Sequence, residues 1–169
     1  MKKTIFTAAA MLLLSVGAWA QKTMVVDSEK VFKSIDGYNT AISQIEEMSK
    51  TYQAKVDEAY DQLETMFDNY QSRKASMTAA QRQESEQKIL KNEQEVQKYQ
   101  EETFGENGTL MKKRIEMLKP YQETVFKAIS DYAAAAGYDI VIDIAANPAV
   151  LYYNPACDMT QKIIESVKK

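Results

Sequence analysis

Residues 38–81 read YNTAISQIEEMSKTYQAKVDEAYDQLETMFDNYQSRKASMTAAQ, and their periodicity decides the fold. Positions 42, 45, 49, 52, 56, 59, 63, 66, 70, 73 and 77 carry Ile42, Ile45, Ser49, Tyr52, Val56, Ala59, Leu63, Met66, Tyr70, Arg73 and Met77. The spacing alternates three and four without a slip, and only Ser49 and Arg73 are polar. Such a seam makes a left-handed coiled coil. Glu46, Glu47, Asp57, Glu58, Asp61, Glu64 and Asp68 lie between and form a solvated face. At about 1.5 Å per residue, forty helical residues reach roughly 60 Å.

The helix turns back at Ser76-Met77-Thr78-Ala79-Ala80-Gln81. Thr78 with Gln81 three residues on is a capping-box pattern, which starts a new helix. Gly37 to Thr78 is 41 residues and Thr78 to Pro120 is 42, so a long antiparallel hairpin brings its ends back together. Folding about Thr78 places Met66 near Leu90, Tyr52 near Phe104 and Ile45 near Met111. The return stripe is weak at first (Ile89, Val96, Tyr99). It then runs clean through Met111, Ile115, Leu118, Gln122, Val125, Ile129, Tyr132 and Ala136. Pro120 predicts a kink or a restart, because proline has no N–H to donate and crowds the preceding turn. Across Gly105-Glu106-Asn107-Gly108 the phase slips by one residue. Gly105 and Gly108 are either a flexible joint in the lower arm or a local loop with no role.

The segments outside the hairpin form a small mixed body. Thr23–Asp27 and Tyr138–Ile144 are strand patterns rich in β-branched residues. Val150–Tyr153 is a third, after an Asn147-Pro148 turn. Gly137 ends the preceding helix, and Asp158 caps a last one with Ile163, Ile164 and Val167 on its apolar face. The fold class is α+β: a small β-rich body with a long helical-hairpin arm. The expected divisions are 1–20, 21–37 with 120–169 for the body, and 38–119 for the arm, its tip near 76–79. So small a body is marginal alone, and oligomerisation through pooled strands is the natural remedy.

Residues 1–20 form an export signal: Lys2 and Lys3, an apolar run from Ile5 to Val16, and the small-x-small site Ala18-Trp19-Ala20 before Gln21. That run is too short to span a bilayer comfortably. Cleavage after Ala20 places the chain in the periplasm. Without Lys2 and Lys3, 19 basic residues face 24 acidic ones, a net charge of −5. An acidic chain has no basic face for general nucleic-acid binding. With no histidine and a single cysteine, a histidine-based site and an internal disulfide are excluded. Cys157 either pairs with another chain or is a small, partly buried apolar residue. No cofactor or metal is expected. Asp139 and Asp143 share a strand face and are either a polar sheet edge or a cation pair. Nothing matches a phosphate loop or a nucleophile elbow.

Two surface features remain. Tyr60 and Phe67 lie just off the seam and widen its apolar stripe. They pack inside the arm, cover a neighbouring subunit, or touch a bound protein. Arg73, Lys74 and Arg82 stand in a tip with no acid between Asp68 and Glu84. That tip is either a plain solvated turn or a weak contact for anionic headgroups or acidic segments.

The chain resembles the Skp/OmpH family of periplasmic chaperones across essentially its mature length. The resemblance rests on the export signal, Val25-Val26-Asp27, Leu118-Lys119-Pro120-Tyr121 leading into Val125 and Ile129, and Ala136–Asp143. Tyr152-Tyr153-Asn154 and Asp158-Met159-Thr160 complete it. It implies a jellyfish-shaped homotrimer whose arms hold unfolded outer-membrane proteins without ATP. Met48, Tyr60, Met66, Phe67, Tyr70 and Met77 are then the candidate client surface, adaptable and amphipathic. One departure stands: the best-known relatives are basic, whereas this chain is acidic with a small basic tip. Two other readings compete. A periplasmic adaptor needs Gly-rich halves flanking its hairpin, and this chain has five glycines. A structural coiled-coil envelope protein would share the arm without binding clients.

Overall fold

The computed structural model describes residues 21–168, so the export signal expected over 1–20 lies outside the described residues. The elements are β1 (Thr23–Val26), α1 (Ser28–Lys33), α2 (Tyr38–Arg73), a 3-10 turn (Lys74–Ser76) and α3 (Ala79–Phe104). Then come α4 (Thr109–Ala136), β2 (Ile140–Asp143), a second 3-10 turn (Pro155–Cys157) and α5 (Thr160–Val167). The fold is mostly helical with a small two-stranded sheet. It divides into two compact units, one from the residues up to Val31 with Phe126–Val167, the other Phe32–Val125.

In the first unit β1 and β2 pair in parallel, from Thr23 opposite Ile140 to Val26 opposite Asp143. The other edge of β1 is also taken: Val25 bridges Asp158, and Met159 N–H donates to the Val25 carbonyl at 3.0 Å. β1 is therefore a central strand. Its Met24 and Val26 are fully buried, as are Val31 and Ile163. Polar groups close the strand ends. Ser28 donates through its N–H and its hydroxyl to the Asp143 carboxylate, at 3.1 and 2.6 Å. Asp27 donates its N–H to Thr160 Oγ1 at 2.9 Å and caps α1 by accepting from Lys30 N–H at 3.1 Å. Burial pushes the Asp27 carboxyl up, but the Lys30 side-chain and amide hydrogen bonds outweigh it and hold the group below its ordinary range. Asp139 accepts from Lys22 N–H at 2.8 Å. Asp139 and Asp143 thus satisfy backbone and hydroxyl donors at separate places. No group of histidine, cysteine or acidic side chains fit to hold a metal occurs among the described residues.

The third strand expected at Val150–Tyr153 does not form. Its composition suits a strand, and the outer edge of β2 carries no strand among the described residues, but the segment pairs with neither β1 nor β2. Leu151 and Tyr152 are left 95% and 83% exposed. Gly137 ends α4 as the sequence suggests: at φ +68° it lets Tyr138 N–H reach back to the Ala133 carbonyl at 2.9 Å, a Schellman closure.

In the second unit α2 runs 36 residues, and α3 returns alongside it. The Tyr52 and Phe104 rings meet edge-on at 6.5 Å, as folding about Thr78 requires. Both bonds of the capping box are present, Gln81 N–H to Thr78 Oγ1 at 3.3 Å and Thr78 N–H to Gln81 Oε1 at 2.9 Å.

The return helix breaks at Gly105–Gly108. A Cβ on Gly105 would lie 2.5 Å from the Glu101 carbonyl oxygen, and one on Gly108 would lie 2.5 Å from that of Thr103. Close backbone approach requires both glycines, whatever the segment's motion. The break also resets the register. Ile45 packs with Ala41 and Leu118, flanked by Leu110, Met117 and Tyr121, rather than with Met111, which is exposed. The loop adds chain to the return limb of the hairpin and so moves a later residue opposite Ile45. Pro120 sits inside α4 without a restart, and its carbonyl accepts from Thr124 Oγ1 at 2.9 Å.

Gly37 opens α2 at φ +87°, where an added Cβ would stand 2.8 Å from the Tyr121 hydroxyl. Gly37→Ala should destabilise the protein by about 1–2 kcal/mol through the left-handed backbone alone. Urea denaturation checks this, and an unshifted midpoint would refute it.

Candidate functional site

Two helices that meet along a seam close it only if both supply large side chains. Here α2 offers Val56, Ala59, Leu63 and Met66, whereas α3 is mostly polar and answers with Val96 and Tyr99. Ala59 is too small to fill the gap. An open trough of about 330 Å³ results, floored by Ala59, Leu63, Met66, Val96 and Tyr99 and rimmed by Lys55, Gln62, Asn92 and Glu95. Met66 is half-buried there, and its sulfur accepts from Asn92 Nδ2 at 3.0 Å.

A larger trough, about 560 Å³, lies between α2 and α4. Met48, Tyr52 and Met117 make its apolar walls, and Gln44, Glu47, Thr51 and Lys113 its rim. The Lys113 ammonium is held above its ordinary range by Glu116, 2.9 Å away, and remains charged. Both troughs are thus apolar floors with charged margins.

Tyr60 and Phe67 point outward, 42% and 48% exposed. The Tyr60 hydroxyl still reaches Gln100 Oε1 at 3.4 Å, so its ring lies along the α2–α3 side with its polar end tethered. Tyr70 differs: it is 6% exposed and donates its hydroxyl to the Glu86 carboxylate. That hydrogen bond raises the Tyr70 pKa, because ionising the phenol would set two negative charges together. Met66, Tyr70 and Met77 line one shallow pocket with Ile89, whereas Met48 lies apart in the larger trough.

At the turn Arg73, Lys74 and Arg82 are all exposed. The Lys74 ammonium lies 5.3 Å from the Tyr70 ring centroid. Arg73, Ser76, Met77, Gln81, Glu84, Ser85 and Lys88 enclose a polar recess of about 370 Å³. Leu90, Met111 and Ile115 are further exposed apolar residues of this unit. The sequence placed Leu90 and Met111 opposite seam residues; the weak first half of the return stripe hinted that Leu90 is left uncovered, whereas Met111 and Ile115 lie in its clean second half and gave no such signal. Among the described residues no helix is long and apolar enough to cross a membrane.

The profile of a family described as "Outer membrane protein (OmpH-like)" matches residues 22–167. The chaperone protein Skp of Yersinia enterocolitica is 27% identical over 172 residues, spanning 99% of this chain and all of that protein. A crystal structure of an OmpH-like protein from Caulobacter crescentus CB15 shares the fold with a TM-score of 0.65 at 12% identity. It covers 89% of this chain and 86% of its own. The chain belongs to the OmpH-like family.

The raised Tyr70 pKa sets a sign for alkaline stability. The contribution of the Tyr70–Glu86 bond is complete below about pH 10, the unfolded value, and is lost as pH rises through the higher folded value. Tyr70→Phe should therefore lower the melting temperature at neutral pH, and the gap to the parent should close as pH climbs past about 10. A gap constant with pH in thermal melts would show that this bond contributes nothing.

Proposed function

We propose that this chain, as a member of the OmpH-like family, is an ATP-independent holdase that binds unfolded outer-membrane proteins and prevents their aggregation in the periplasm. The observation that carries the reading is the pair of open apolar troughs with charged rims, beside the outward rings of Tyr60 and Phe67. Unfolded barrel strands alternate apolar and polar residues and expose unpaired backbone, so they aggregate in water. Shallow, methionine-lined troughs accept many apolar side chains without demanding one shape. The charged margins keep the loaded holder soluble. No step requires nucleotide, because holding needs only affinity.

In this reading Met48, Met66, Met77, Tyr60 and Phe67 touch the client, and buried Tyr70 supports the surface under them. Residues 38–119 serve as the arm, and 21–37 with 120–169 as the oligomerisation body. Ile140 and Val141 on β2, with Leu151 and Tyr152, are exposed apolar residues of that body, which supports assembly into a homotrimer through it. Export after cleavage at Ala20 puts the chain where its clients pass. The exposed cations Arg73, Lys74 and Arg82 suit a weak contact with anionic headgroups, secondary to the apolar troughs.

Light scattering of an unfolded outer-membrane barrel protein diluted from urea tests the reading. The mature chain should suppress aggregation near one trimer per client without nucleotide. No suppression by a folded, oligomeric chain would leave a structural envelope protein. A Tyr60→Glu, Phe67→Glu double variant should keep its helix content and bind clients about tenfold more weakly, a loss of roughly 1.4 kcal/mol. In the body, Leu151→Asp with Tyr152→Asp should shift the chain toward monomer in size-exclusion chromatography with light scattering. An unchanged mass would place the assembly contact elsewhere.

A further inference from the structure

The first described residues are held very unevenly. Lys22 is fixed on several sides. Its N–H donates to Asp139 Oδ2 at 2.8 Å, and its carbonyl accepts from Asp139 N–H at 2.8 Å. Its ammonium donates to the Ala136 carbonyl at 2.7 Å and lies 4.2 Å from the Tyr138 ring centroid. β1 begins immediately after, with Met24 and Val26 fully buried. Gln21, one residue before this anchor, is exposed.

We propose that Gln21 is a modification site: once residues 1–20 are removed, it cyclises to an N-terminal pyroglutamyl residue. The proposal rests on the export reading, in which cleavage follows Ala20 and gives Gln21 a free α-amine. A glutamine side-chain amide then lies where its own α-amine closes a five-membered lactam. The amine nitrogen attacks Cδ. The N–Cδ bond forms, the Cδ–Nε2 bond breaks, and ammonia leaves with Nε2 and the proton given up by the amine. No oxidant, reductant or donor is needed. A glutaminyl-cyclising acyltransferase would speed the step, and exposure of Gln21 gives it access.

The fold tolerates this product and benefits from it. Ring closure uses only atoms of Gln21, so Lys22 keeps its N–H for Asp139 and its carbonyl for the Asp139 amide. The α-ammonium is lost, which takes the mature net charge from −5 to −6. A lactam also offers no amine to an aminopeptidase. That protection matters here because only Gln21 and Lys22 precede the central strand. Trimming two residues would remove the Asp139, Ala136 and Tyr138 contacts and expose the start of β1 to further loss.

The test is intact mass and N-terminal peptide sequencing by mass spectrometry on the full-length gene product purified from the periplasm of the producing cell. The expected species is residues 21–169 less one ammonia, with the loss located on Gln21. A chain starting at unmodified Gln21 overturns the proposal and leaves export standing. A chain retaining residues 1–20 overturns both. A Gln21→Ser variant, checked for cleavage at the same bond, should carry a free amine and lose its first residues to a broad-specificity aminopeptidase, while the parent does not. Equal trimming of parent and variant overturns the protective role.

Discussion

Val25 sits between two segments that the sequence places far away, Ile142 on one edge and Asp158–Met159 on the other. A parallel pair cannot be joined by a tight turn; it requires a crossover connection. In this chain the connection between β1 and β2 contains α1 and the whole helical hairpin. The hairpin is therefore the crossover of the smallest possible parallel sheet, greatly lengthened. Its two ends must return to neighbouring strands, and this is why α2 needs a return path, α3 followed by α4, of comparable reach.

How much of this was legible follows from the range of each signal. The α2 seam was readable because it repeats at every turn for 36 residues. The turn at Thr78 was readable because its bonds are local to Thr78 and Gln81. Gly137 announced itself as a helix stop. α1 was missed, although Asp27 as its cap and Glu29 in its first turn were signals. The supposed third strand failed for the opposite reason: a strand pattern states what a segment can do, not whether the chain brings it alongside a partner strand. The Ile45–Met111 pairing failed because the Gly105–Gly108 loop adds chain length that a simple fold about Thr78 does not count.

The candidate surface was less legible. Tyr60, Phe67 and Tyr70 are all aromatic and close on one helix, yet Tyr70 is buried against Glu86 while the other two face outward. Periodicity assigns a residue to a face but does not state how far the partner helix covers it. That depends on the size of the residues opposite, and α3 is poor in large ones. The troughs are the physical result of a strong apolar stripe meeting a weak one.

The closure at Thr78 has a temporal consequence. Its capping bonds and the short turn before it connect residues that are synthesised within moments of each other, so the outer hairpin can form while the chain is still growing. β1 is made first but gains its neighbours only when β2 and Asp158–Met159 have appeared. Met24-Val25-Val26, destined to be the driest strand of the molecule, must therefore wait uncovered longer than any other core segment. The protein passes through a stage in which the turn between α2 and α3 is closed while its own first strand still lacks both neighbours.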